Sequence, residues 1–246
     1  VESDDLSAAE VGRRAMNVLD LFSGIGGFSL GLERTGGFRT VAFCEREPYC
    51  RAVLARHWPA IPIYDDVRTL TAQRLIADVW HRIDVVCGGF PCQPFSTASR
   101  GNKTAIDLWP EMDRIVTDIK SRFVIAENVC EAPIANASRD LAKRGYSTHY
   151  RCISANDAGA DHQRNRWWLI AHTDRKSELH RQLDAEVAEL PTLCRNLWGA
   201  ENYREAVRIP DGLSLGMDGS AIKAIGNAVV PQIPEIIGRA IMRATG

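Results

Sequence analysis

The sequence predicts an α/β fold, with a Rossmann-like, mostly parallel sheet and a small insert. Three observations predict it. Short β-type apolar runs alternate with helical patterns along most of the chain. The first run, Met16 to Phe22, stops at the glycine turn Ser23-Gly24-Ile25-Gly26-Gly27 before a helix pattern begins. Later runs end on acids or on the stiff turn Gly88-Gly89-Phe90-Pro91-Cys92-Gln93-Pro94-Phe95-Ser96. Open α/β sheets bind ligands outside the carboxyl ends of their strands, and these residues all fall there.

Taken in order, Met16–Phe22 reads as the first strand, and Phe28, Leu30 and Leu32 give a helix running to Gly36-Gly37. The glycines lack the Gly-x-Gly-x-x-Gly spacing and no Lys-Ser or Lys-Thr follows, which disfavours a dinucleotide or P-loop phosphate site. Thr40–Cys44 is the second strand. Glu45 at its tip can accept from ribose hydroxyls or can cap the next helix. Ala60–Tyr64 is the third, followed by Asp65-Asp66-Val67, where an acid can accept an adenine amino group or simply make a turn. A glycine turn and two acids at successive strand ends suit a nucleoside-bearing cofactor and would repel a diphosphate.

Ile83–Val86 is the fourth strand, and its turn holds Cys92 as either a candidate nucleophile or a half-buried turn cysteine. Residues 97–107 are polar and aperiodic, with Arg100 and Lys103 able to meet a phosphate backbone. A helix is expected over Leu108–Ile119, and a fifth strand over Ser121–Ala126 delivers Glu127-Asn128-Val129. Neighbouring fourth and fifth strands would let Cys92 and Glu127 face one site, a thiol beside an acid able to donate to a ring nitrogen. A helix over Ile134–Lys143 and strands over Thr148–Ile153 and Trp167–Ala171 follow, with Arg164 and Arg166 pointing the same way if extended. The two tryptophans are expected as core on one side and lid on the other. Glu178–Leu190 can be one helix, Ala224–Pro231 reads as a tight turn, and a final helix carries Ile233, Ile236, Ile237, Ala240 and Ile241.

Composition bounds the function. The 246 residues carry a formal net charge of -1, so the total shows no polyanion signature, although a neutral total can hide a basic cleft. Seven scattered cysteines without a Cys-x-x-Cys pair argue against a disulfide framework or a zinc site, and for a reducing interior. No apolar run reaches membrane-spanning length, so no membrane association is expected. Residues 1–15 read as a loose acidic lead-in, 16–171 as the catalytic and cofactor-binding domain, 172–218 as a small insert, and 219–246 as a turn and helix completing the domain.

Five segments together carry a resemblance: Asp20–Phe28, Gly89–Ser96, Glu127–Val129, Gln163–Arg166 and Gly226–Pro231. In this order they resemble the cytosine-C5 DNA methyltransferase family, over Met16 to Ile241. The resemblance implies the S-adenosylmethionine-dependent methyltransferase fold, with a seven-stranded sheet and helices on both faces. It implies S-adenosylmethionine as cofactor, with S-adenosylhomocysteine as product. Phe22, Ser23, Gly24 and Gly26 would lie near the methionine portion, Glu45 at the ribose, and Asp66, Val67 and Pro91 at the adenine. Asn227 and Val229 would close the pocket. Cys92 would attack C6 of a flipped cytosine in double-stranded DNA, Glu127 would bond its N3 and amino edge, Arg166 would hold O2, and Arg164 would support the active-site loop.

The chain also departs from the family pattern. About fifty residues stand where a larger target-recognition region is usual, so the insert at 172–218 is expected to be a reduced one. Arg46 sits where members often carry an aromatic ring against the adenine, and Asp107-Leu108-Trp109 stands where a Leu-Phe pair is common. The expected protein is a monomeric, cytoplasmic enzyme, bacterial or phage-encoded, working in restriction–modification with an endonuclease for the same site or alone. The alternatives are the same chemistry on transfer RNA, or a non-catalytic DNA- or cofactor-binding derivative of the family.

Overall fold

Seven strands form one sheet in the order β3-β2-β1-β4-β5-β7-β6. The computed structural model describes residues 14–79, 81–91, 107–159, 164–174, 178–197 and 219–245, with residues 189–197 and 222 given as backbone only. The strands are β1 (Met16–Leu21), β2 (Phe38–Cys44), β3 (Ile63–Tyr64), β4 (Val85–Gly89), β5 (Phe123–Asn128), β6 (Ser147–Ser154) and β7 (Asn165–His172). All neighbours from β3 to β5 pair in parallel, whereas β7 runs antiparallel to both β5 and β6. The sheet is therefore mostly parallel, as the sequence predicts.

Alternation along each strand loads both faces of the sheet, which is the pattern of a sheet buried on both sides. Leu19, Leu21, Val124, Ala126, Leu169 and Ala171 point to one face. There they meet α3 (Ala72–Val79), α4 (Trp109–Ile119) and α5 (Glu131–Lys143) through Leu75, Met112, Ile115, Ile134 and Leu141. Val18, Val85, Phe123, Ile125, Trp168 and Ile170 point to the other. On that side lie α1 (Gly27–Glu33), α6 (Leu179–Leu197) and the last helix, α8 (Gln232–Thr245). Trp168 is core, tilted against Phe28 at 5.4 Å, and Trp167 packs half-buried on the opposite face beside Tyr150. Trp168 is thus core, as expected of one of the two, and Trp167 packs against the core of the opposite face.

At the start of the expected insert, His172 still belongs to β7, and α6 buries Leu179 and Leu183 in the same core as Phe28 and Ile237. Glu186, fully buried on α6, is held by Arg243 at 2.8 Å and Arg239 at 3.4 Å on α8, which fixes how the two helices meet. Residues 198–218 lie outside the described ones. One expectation is corrected here: Ala224–Asn227 are not part of a turn but the last residues of α7 (Gly219–Asn227). Ala221 and Ala224 give that helix a buried side, so a glycine near its end is carried as helix.

The end of the domain closes over its beginning. A Cβ on Gly27 would sit 2.5 Å from the Val229 carbonyl oxygen, and one on Gly31 would sit 2.1 Å from that of Pro231. Helix α1 is thus glycine-faced where residues 229–235 cross it. Among the described residues no helix is long and apolar enough to cross a membrane, and no cluster of His, Cys, Asp or Glu could hold a metal ion.

Candidate active site and nucleoside pocket

The order of strands reverses between β1 and β4, and the turn after β1 lies at that switch. Phe22 and Gly24 there both have left-handed backbone, φ 54° and 53°. A non-glycine residue in that region is strained, and such strain gathers at functional sites. A side chain on Gly24 would find nothing within 4 Å, so open space lies over its backbone. Gly26, with φ 88°, caps α1 and donates its N–H to the Ser23 carbonyl at 2.8 Å. The Ser23 hydroxyl donates to the carbonyls of Asp20 and Cys44, at 2.6 and 3.3 Å. Gly88 lets β4 approach β1 closely, since a Cβ there would stand 2.3 Å from the Leu21 carbonyl oxygen.

Glu45 directly follows β2, with its carboxylate turned back on this turn. It accepts the Gly24 N–H at 2.6 Å and the Glu47 N–H at 2.8 Å. A pocket open to solvent lies beside it, lined by Phe22, Cys44, Arg46, Asp65, Asp66, Val67, Arg68 and Leu108. Three expected residues, Phe22, Asp66 and Val67, therefore come together, and Asp65 shares the wall with Asp66. Arg68 holds Asp66 in a two-pronged pair and pushes its carboxyl down to about 2. Arg114 donates to the Val67 carbonyl at 2.9 Å and steadies the same loop from α4.

Ser23, Gly24, Gly26 and Glu45 shape the turn next to the pocket without lining it. Pro91 follows β4, its carbonyl accepting the Leu108 N–H at 3.2 Å. Val229 is half-buried against the core, whereas Asn227 is exposed at the end of α7. That helix lies against α2 (Pro48–His57), with Lys223 reaching Glu47 at 2.8 Å.

The second locus lies two strands away on the same edge. Glu127 pairs in register with Gly89 on β4 and with Trp168 on β7. Because β7 is antiparallel, its beginning meets the carboxyl end of β5. Arg166 shares a sheet face with Trp168 and Ile170 and places its Nε 2.8 Å from Glu127 Oε1. The glycine at position 89 is needed here, since a Cβ would stand 2.8 Å from Glu127 Oε2. Glu127 is only 12% exposed, and burial pushes its carboxyl up to about 7 despite the opposing pull of Arg166 and Arg164. A carboxyl in that range is shared between donor and acceptor forms at neutral pH. Asn128 donates to the Phe90 carbonyl at 2.9 Å, tying the strand after Glu127 to the turn before Cys92.

Arg164 stands immediately before β7. Its guanidinium donates to the carbonyls of Gly226 and Ala228, at 2.7 and 3.0 Å, and so holds the end of α7 to the start of β7. Cys92, Gln163 and the loop 97–106 lie outside the described residues. Of the described thiols, Cys44 and Cys50 are pushed up to about 12 and about 11 by burial, and Cys87 rises too. Such thiols are inert as nucleophiles near neutral pH.

The sequence reading missed Arg68, whose only signal is an arginine two residues after an acid. It also missed Asp20, fully buried under α1, which accepts the Ser29 hydroxyl at 2.8 Å and whose carboxyl burial pushes up to about 8. An acid inside an apolar strand run was the available sign.

The sheet order, the glycine turn and the Glu127–Arg166 pair define a Rossmann-like enzyme class, and comparison with known proteins defines the family. Residues 16–207 match the model of the C-5 cytosine-specific DNA methylases, and the chain belongs to that family. It is 33% identical over 174 residues to the type II methyltransferase M1.HphI of Haemophilus parahaemolyticus, covering 65% of this chain and 46% of that one. It is 32% identical over 215 residues to the type II methylase M.HgiEI of Herpetosiphon aurantiacus, covering 79% of this chain and 46% of that one. The chain thus spans about half the length, or less, of these curated relatives. In fold it is similar to a putative DNA modification methyltransferase encoded within an E. coli prophage, with TM-score 0.66 and 20% identity over 94% of this chain and 99% of that one.

Proposed function

We propose that this protein transfers a methyl group from S-adenosylmethionine to C5 of a cytosine in DNA. The observation that carries the reading is the buried Glu127, ion-paired to Arg166 and titrating near 7, at the strand end beside the turn that leads to Cys92.

The residues around the pocket fit the cofactor. Phe22, Val67 and Leu108 supply apolar walls for a purine, and the Asp66 carboxylate can accept from an exocyclic amino group. Glu45, fixed by two backbone N–H groups, keeps lone pairs for ribose hydroxyls. The open, left-handed backbone at Gly24 leaves room for the methionine portion. Ser23 and Gly26 hold that turn, while Pro91, Asn227 and Val229, which do not line the pocket as it stands, would complete the site around the bound cofactor. When bound, the cofactor supplies an electrophilic sulfonium methyl group.

The chain's own residues would make cytosine able to take that methyl. The Cys92 thiolate adds to C6 while Glu127 donates to N3, which draws the electron pair into the ring and gives C5 enamine character. Arg166 holds both Glu127 and the base oxygen O2. After C5 takes the methyl, a base removes the C5 proton and Cys92 leaves, restoring the ring. The base must be flipped out of the duplex to enter, at a cost of a few kcal/mol. Arg164, by holding the end of α7, would support the active-site loop from the carboxyl-terminal side. Target recognition would fall to the part of 172–218 beyond α6, and a restriction endonuclease for the same site is the expected functional companion.

The test is transfer of labelled methyl to mixed genomic DNA and, separately, to transfer RNA, with nucleosides resolved by mass spectrometry. The expected result is 5-methylcytosine in DNA that vanishes in Cys92→Ala. Label confined to RNA, or product that survives the substitution, refutes the proposal.

A further inference from the structure

The nucleoside pocket carries two guanidiniums that the chemistry above does not use. Arg68 is exposed, yet its Nε lies 2.9 Å from Asp66 Oδ1 and its NH2 2.5 Å from Oδ2, while its own backbone N–H donates to Oδ1 at 3.0 Å. This geometry fixes the plane of the carboxylate; Oδ1 already accepts twice, so the remaining accepting capacity lies on Oδ2, which Nε meets only at 3.1 Å. Arg46 follows Glu45 directly, and its carbonyl accepts from Arg51 at 2.5 Å, so the backbone that carries it is anchored. Its side chain lines the same pocket, on the wall opposite no aromatic ring other than Phe22 among the described lining residues.

A guanidinium is planar and delocalised, and stacks on a flat ring as an aromatic side chain does; a lysine ammonium does not. We propose that Arg46 and Arg68 are the specificity-determining pair of the purine slot. Arg46 lays its guanidinium against the ring face, and Arg68 orients the Asp66 carboxylate to accept from the exocyclic amino group. The proposal rests on the reading of the cofactor as S-adenosylmethionine. Arg68 acts through Asp66 and is a positioning residue; Arg46 touches the ring. The same carboxylate would repel a purine bearing a carbonyl oxygen at that position, so the slot selects adenine over hypoxanthine.

The experiment is calorimetric titration of the full chain with S-adenosylhomocysteine and with S-inosylhomocysteine, in which a carbonyl oxygen replaces the amino group. The wild type is expected to bind the adenine compound and to favour it by about tenfold or more, the worth of one charge-assisted hydrogen bond. Arg68→Ala is expected to weaken adenine binding about tenfold and to erase most of that preference. Arg46→Ala is expected to weaken both compounds alike, by roughly fivefold; Arg46→Trp restores affinity and Arg46→Lys does not. Both side chains are exposed, so unchanged melting temperatures check that the variants are folded. Tighter binding in Arg68→Ala would mean that Arg68 masks Asp66 and overturns the proposal, as does full affinity in Arg46→Lys. A wild type that binds neither compound refutes the cofactor reading itself, and the slot assignment with it.

Discussion

Replacing Arg166 with alanine tests the Glu127 pair through stability alone, independent of turnover. In the wild type the Glu127 carboxyl sits near 7, raised by burial and restrained by Arg166 at 2.8 Å. Because its folded value lies above its unfolded one, the group's stabilising contribution is complete below about pH 4.5 and is lost as pH rises towards 7. Without Arg166 that folded value should rise further, to about 9, as expected when a close opposite charge is lost. At pH 6 the carboxyl is protonated in both proteins, so the variant loses only packing and hydrogen bonding, roughly 1 kcal/mol. At pH 9 the wild type gains about 2.7 kcal/mol by ionising and the variant only about 0.4 kcal/mol, at 1.36 kcal/mol per pH unit. The variant should therefore be a further ~2 kcal/mol less stable at pH 9 than at pH 6. Urea unfolding of both proteins at the two pH values measures this. Equal losses at pH 6 and pH 9 would refute the coupling between Arg166 and the Glu127 proton.

Two further outcomes follow from the same geometry. Arg164→Ala removes both hydrogen bonds to the Gly226 and Ala228 carbonyls, so amide exchange over residues 219–230 should quicken about tenfold. Arg164→Lys should not rescue it, because one ammonium cannot span two carbonyls in the same fork, and unchanged exchange would show that the clasp carries no energy. Asp20→Asn keeps an acceptor for Ser29 but removes a buried carboxyl held at about 8 against 3.8. Its stability advantage over the wild type should widen between pH 4 and pH 8, by up to roughly 1.4 kcal/mol per pH unit, and level off above. A gap that stays constant across that range, followed by chemical denaturation, would rule out titration of Asp20.

Much of this architecture is legible before any coordinates, because it rests on local rules. Glycine two residues after Phe22, an acid after Cys44 and proline after Phe90 each mark a strand end by what the backbone there can do. What escaped the sequence depends on partners far along the chain. Arg164 follows the period-two rule on paper, yet its role is set by carbonyls more than sixty residues away. The pattern of α6 reads as an amphipathic helix, but nothing local says that its apolar side belongs to Phe28 and Ile237 rather than to a separate unit. Gly226 looks like a turn until the buried side of Ala221 and Ala224 is seen. Arg68 was passed over because its partner is so near that the pair resembles an ordinary surface contact, and only the pocket gives it meaning.

The crossing of residues 229–235 over the glycine face of α1 also sets an order of events during synthesis. A ribosome releases Gly27 and Gly31 some two hundred residues before Val229 and Pro231, the backbone that fits against them. For all that time Phe28 and Leu32 lack the α8 side chains that cover them in the finished core. The nascent strands β1, β4 and β5 can pair, but one side of the sheet is covered only in part, by α1 and α6, until α8 emerges. The cover of that face is thus completed by α8, and a ribosome that stalls before residue 229 holds a sheet with one face only partly covered.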